Sequence, residues 1–289
     1  MSVDVVLIDH HQHQDVPGVG RNLQDHIATG LDLIVLNQTV GTKPSEILTP
    51  ANLINYLHHG EGPLTSGGCE ALGFDEETKG LGYMFLPVGL STDRGFHLRK
   101  IMNIKPTVWK DYFQKFTETT TVSIIPIVLQ PKSRGFLKLA KGQIDSDSDF
   151  NDEPIVSINP KYLQEQQDVE KLITGIQRLS AIIDDNLKTF GGKLNPLPLN
   201  ECKGHSFGSR FYWECYIRQI SFSVYHPVGT CRMGNKRQKD TVVDYHTFKV
   251  LGMENFYENL PSGNPNAAVG MLAKKFVDTL LDGEKLKKK

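Results

Sequence analysis

His226-Pro-Val-Gly-Thr-Cys-Arg-Met-Gly234 and Ser262-Gly-Asn264-Pro265-Asn266-Ala267-Ala268 hold the residues of this chain best suited to chemistry. Taking a proton from a hydroxyl while hydride leaves the same carbon for an electron-poor acceptor needs a base that titrates near neutral pH. An imidazole such as that of His226 meets that need. A second group must hold the oxygen. Asn266 stands where an apolar-periodic segment begins, so its amide and the positive end of a helix would face one place. Two groups acting on one hydroxyl should carry their side chains roughly 4–8 Å apart. A histidine beside a proline and an asparagine at a helix start are also ordinary structural choices, a satisfied imidazole and an N-cap. Residue types alone do not separate the two readings.

The elements that must position these groups follow from the rest of the pattern. With 289 residues, a net charge of −1 and 39% hydrophobic content, the chain can bury one large core or two small ones. The Lys285-Leu-Lys-Lys-Lys289 run has no aromatic-interleaved basic stripe beside it, so no nucleic-acid partner is expected. The longest apolar run, Ser123-Ile-Ile-Pro-Ile-Val-Leu129, is too short to span a bilayer and reads as a strand, so no membrane span is expected. Thr117 to Ala140 reads as two strand-like runs around a turn at Pro131-Lys-Ser-Arg-Gly135. After a polar loop from Lys141 to Glu153, the segment Pro160 to Phe190 carries Val169, Leu172, Ile173, Ile176, Leu179, Ile182, Ile183 and Leu187. Their spacing of three or four residues predicts a long helix with one buried face. A further helix is expected from about Ala267, with Val269, Leu272, Phe276, Val277, Leu280 and Leu281 on its apolar side.

The two chemistry-bearing strings, together with Val16-Pro-Gly-Val-Gly-Arg-Asn-Leu-Gln-Asp-His26, resemble the glucose-methanol-choline (GMC) flavoenzymes, FAD-dependent alcohol oxidoreductases. The resemblance runs from Asp15 to about Leu281 and is strongest to insect glucose dehydrogenase-like members. It implies an α+β fold: an antiparallel-sheet substrate domain with helices over residues 31–222. Parts of an FAD-binding α/β domain would flank it, at 1–30 as a lid segment and at 223–289 as the return carrying the catalytic strings. It implies catalytic roles for His226 and Asn266, and FAD contacts from Asn22, Leu23, Asp25, His26, Asn264, Pro265, Asn266 and Ala267. The implied substrate is an alcohol or sugar, the acceptor a quinone or oxygen. Insect members are secreted, which suggests an extracellular location. Met1 to Asp9 shows no basic and apolar pattern of a signal peptide.

Two departures from the family pattern bear on activity. No G-x-G-x-x-G turn is present, the device by which a glycine-led helix start holds a dinucleotide pyrophosphate. The stretch between Gly252 and Ser262 is also roughly ten residues shorter than the family pattern, about one short strand. The chain is therefore expected to be truncated, the chemistry-bearing half of an oxidoreductase without its cofactor-binding half. The alternative is a catalytically inactive, stand-alone substrate-domain remnant. Cys202 and Cys215, two of four cysteines, flank a segment resembling the loop before the catalytic histidine in the insect proteins. They could form a bridge or stand as two thiols. Asn37-Gln-Thr39 is a glycosylation sequon only if the chain enters the secretory path. Gly204-His-Ser206-Phe-Gly208 matches a hydrolase nucleophile elbow, but Asn200-Glu-Cys-Lys203 is no buried strand. No metal site is expected, because no cysteine or carboxylate at ligand spacing completes the His10-His11-Gln12-His13 tract.

Overall fold

A computed structural model describes residues 4–5, 14–37, 44–139, 156–235, 237–244, 251, 270–271, 273–275 and 277. The chain forms two compact units, one of Met1–His26, Leu129–Glu165 and Val224–Lys289, the other of Ile27–Val128 and Gln166–Ser223. The first unit thus unites the two flanking segments with residues 129–165, which the sequence boundaries had put inside the substrate domain.

The second unit is built on a seven-stranded antiparallel sheet whose centre is Thr120–Val128, the apolar run read as a strand. One edge of this strand pairs with Leu81–Leu86, and Ala71–Phe74 follows beyond it. The other edge is shared by Ile34–Leu36 and Ile27–Thr29. The chain leaves the ladder between those two short strands opposite Pro126, which has no N–H to donate. Asp32 there donates its backbone N–H to the Ser123 hydroxyl at 3.2 Å. Lys193–Leu194 and Ser221–Ser223 close the two ends.

The helix expected over Pro160 to Phe190 is α-helical from Gln166 to Ile182, continues as one π turn, Ile183–Leu187, and tightens at Lys188–Phe190. Val169, Leu172, Ile173, Ile176, Leu179 and Ile183 are buried, as the spacing requires, whereas Ile182 is exposed. The helix lies so close on the sheet that a Cβ at Gly175 would stand 2.6 Å from Pro126 Cβ. The second helix of this unit, Arg210–Gln219, starts at Ser209, whose hydroxyl accepts the Tyr212 N–H. It buries Tyr212, Trp213 and Tyr216. The Cys202–Cys215 disulfide ties this helix to the turn before it, with Cα atoms 5.7 Å apart. That turn, Asn200–Cys202, is a single 3-10 turn and Ser206 is exposed, so no strand presents a nucleophile elbow.

In the first unit Phe136–Leu139 pairs antiparallel with Val156–Asn159. The two strand-like runs on either side of Pro131–Gly135 therefore enter different units. Met233–Gly234 and Val243–Asp244 form a short parallel pair. The polar loop 141–153 and the tract at 10–13 lie outside the described residues. Residues 270, 271, 273–275 and 277 are helical, consistent with a helix near Ala267, but Val277 is 49% exposed rather than on a buried face.

A candidate active site around His226

Residues 20–24 run between two backbone partners. On one side Leu23 and Gly135 exchange backbone hydrogen bonds at 3.0 and 2.8 Å, and Leu137 N–H donates to Gly20 at 2.6 Å. On the other side Gln24 and Val228 exchange bonds of 2.8 Å, and Gly20 N–H donates to Thr230 at 2.8 Å. Glycine is needed at two points of closest approach. Gly20, at φ 77°, lies against the Leu137 carbonyl, and Gly229, at φ 94°, lies with its would-be Cβ 2.5 Å from the Asn22 carbonyl. The glycines in Val16-Pro-Gly-Val-Gly and His226-Pro-Val-Gly thus let three backbones meet.

This meeting presents His226. Tyr225 adopts φ 62°, an unfavourable region for an aromatic residue, just before His226. The His226 backbone N–H then donates to Asp25 Oδ1 at 3.0 Å, while Asp25 Oδ2 accepts from the Tyr162 hydroxyl at 2.5 Å. The His226 ring meets that of His26 edge to face, with Nδ1 to Nδ1 at 2.9 Å. His26, 1% exposed, has its Nε2 3.1 Å from the Leu129 carbonyl oxygen. His226 itself is only partly buried.

Of the residues expected to serve catalysis or the cofactor, Asn22, Leu23, Asp25, His26 and His226 come together here. Asn22 donates through Nδ2 to the Gly229 carbonyl at 3.2 Å and accepts from Arg134 Nε at 3.1 Å. Leu23 is buried. Asp25 and His26 bind His226 itself, a positioning role beside the cofactor contact expected of them. Asn264, Pro265, Asn266 and Ala267 lie outside the described residues. Tyr162 and Arg134 were not singled out by sequence, and no spacing connects either to the His226 motif. Only Pro131–Gly135, recognised as a turn, hinted that Arg134 would stand at a chain reversal. Among the described residues no cluster of histidine, cysteine, aspartate and glutamate could hold a metal ion. None of their helices is long and apolar enough to cross a membrane.

Residues 131–273 match the family model described as GMC oxidoreductase, and the chain carries the C-terminal part of a GMC oxidoreductase. Among its relatives is a glucose dehydrogenase [FAD, quinone] of Drosophila melanogaster, 28% identical over 90% of this chain and 40% of that protein. An alcohol dehydrogenase [acceptor] of Pseudomonas putida is 29% identical over 92% of this chain and 45% of its own length. The fold is similar to that of a formate oxidase variant from Aspergillus oryzae, with TM-score 0.66 at 17% identity over 94% of this chain and 48% of that one. The chain therefore spans less than half the length of these relatives.

Proposed function

We propose that this chain supplies the substrate-binding and proton-abstracting part of an FAD-dependent oxidoreductase acting on the CH–OH group of an alcohol or sugar. In this reading His226 takes the hydroxyl proton and Asn266 orients the oxygen. The observation that carries it is the immobilised His226, held at its backbone by Asp25 and at Nδ1 by His26. A general base must keep its geometry through the reaction, and two independent tethers provide that. The unit of Ile27–Val128 and Gln166–Ser223 is read as the substrate domain, and the other unit as part of a cofactor domain. The Cys202–Cys215 disulfide supports the extracellular location suggested by the family, because such bridges persist in oxidising compartments.

The described residues suit the reacting end of a flavin. The side-chain nitrogen of Gln24, in a residue 3% exposed, has no hydrogen-bond partner among the described residues, and a carbonyl of a bound ring would satisfy it. Asn22 to His26 and the Asn264–Ala267 string would flank that ring, which when bound accepts the hydride. The sequence has no G-x-G-x-x-G to hold a pyrophosphate. A second reading, for the 289 residues by themselves, is an inactive substrate-binding remnant. Adding FAD to the purified chain with a dye acceptor and a panel of alcohols and sugars separates the two. Flavin absorbance, dye reduction and loss of both rate and proton uptake in His226→Ala support the oxidoreductase reading. A colourless, inert protein with FAD affinity weaker than micromolar supports the remnant.

A further inference from the structure

We propose that His26 is a positioning residue that fixes the tautomer of His226, keeping the proton on Nδ1 and leaving Nε2 bare as the base. The catalytic consequence rests on the oxidoreductase reading above; the tautomer itself does not.

The argument is proton counting over four ring nitrogens. The Leu129 carbonyl oxygen 3.1 Å from His26 Nε2 can only accept, so that nitrogen carries the proton of a neutral His26. His26 Nδ1 is then a lone pair. The 2.9 Å contact between the two Nδ1 atoms needs one proton between them, and only His226 can supply it. A neutral His226 has one proton, now committed to Nδ1, so its Nε2 is the unprotonated nitrogen. Placing the bridging proton on His26 instead would make His26 a cation at 1% exposure, the form that burial disfavours. The ring planes, 83° apart, let the N–H of one ring point along the lone pair of the other.

Free imidazole carries its proton on either nitrogen, so an unsupported His226 would divide its population between a competent and an incompetent base. The Leu129–His26–His226 relay removes that division without using a charged group. When Nε2 takes the hydroxyl proton, the bond to Nδ1 is already made and the ring need not turn. Asp25 contributes differently: it holds the backbone from which the ring projects.

The test is long-range proton–nitrogen NMR of the imidazoles in the uniformly nitrogen-15-labelled 289-residue chain at about pH 8, above the usual imidazole range. The expected spectrum shows His26 as the Nε2–H tautomer and His226 as the Nδ1–H tautomer. His226 found mainly as Nε2–H overturns the proposal. In His26→Asn, whose amide oxygen stands near the place of Nδ1, His226 should keep Nδ1–H. In His26→Phe it should shift to a majority of Nε2–H, and an unchanged Nδ1–H signal there also overturns it. The wild-type spectrum decides the matter even if a variant fails to fold. Tautomers as expected in a chain without dye reduction support the relay and count against the oxidoreductase reading. Dye reduction with the opposite tautomer does the reverse.

Discussion

Asp32 is the most exacting test of the energetics in the sheet unit. Its side chain is 0% exposed and accepts the backbone N–H of Leu90 and, at 2.8 Å, that of Ser91, at the start of the 3-10 turn Leu90–Asp93. Burial raises its pKa from the ordinary 3.8 to about 6, against the opposing pull of hydrogen bonds from Ser91, Leu90 and Thr121. A carboxyl whose pKa is higher in the folded chain binds its proton more tightly there. Its contribution to stability is therefore complete below about pH 3.8 and is lost as the pH rises through about 6, by about 3 kcal/mol in all. Comparing wild type with Asp32→Asn removes every other titrating group from the difference. Both tryptophans, Trp109 and Trp213, lie in this unit, so urea unfolding followed by tryptophan fluorescence reads it selectively. The wild-type advantage over Asp32→Asn should fall by about 2 kcal/mol between pH 4 and pH 7, most of that total. A flat difference would refute the burial argument. A rise would show that the donors outweigh desolvation and hold the carboxylate ionised.

Gly175→Ala should destabilise the sheet unit by about 1–3 kcal/mol, because the added methyl meets Pro126 Cβ at 2.6 Å and Leu81 Cδ1 at 3.3 Å; the helix-propensity gain of about 1 kcal/mol is smaller. A raised melting temperature would contradict that packing. Asp25→Ala removes the acceptor for both the His226 N–H and the Tyr162 hydroxyl and should lower stability by about 2 kcal/mol, whereas Tyr162→Phe, at a residue 38% exposed, should lower it by about 1 kcal/mol or less. Equal losses in urea melts of the two variants would show that the His226 tether is weak. Opening the disulfide over its sequence separation of 13, by Cys215→Ser or by reductant, should cost about 3 kcal/mol, roughly 6–12 °C in melting temperature by calorimetry.

Much of this protein was legible without coordinates because it is written in local pattern. The three-and-four spacing from Val169 to Ile183 reads as a helix with one buried face, and the short apolar run at Ser123–Leu129 reads better as a strand than as a bilayer span. The His226 and Asn22–His26 strings named the family, since their glycines stand where three backbones approach closely. The sequence could not say which segments meet, because contact between residues 20–24, 135–137 and 228–230 depends on chain closures of about one hundred residues that leave no periodic signal. Tyr162 reaches Asp25 across a sequence separation of 137, and His26 reaches His226 across 200. Tertiary structure alone decided that Phe136–Leu139 leaves the sheet unit, that the cysteines form a bridge, and that Asp25 and His26 hold the histidine. Local sequence sets which conformations a segment can adopt; only long-range packing sets what a side chain faces when it adopts them.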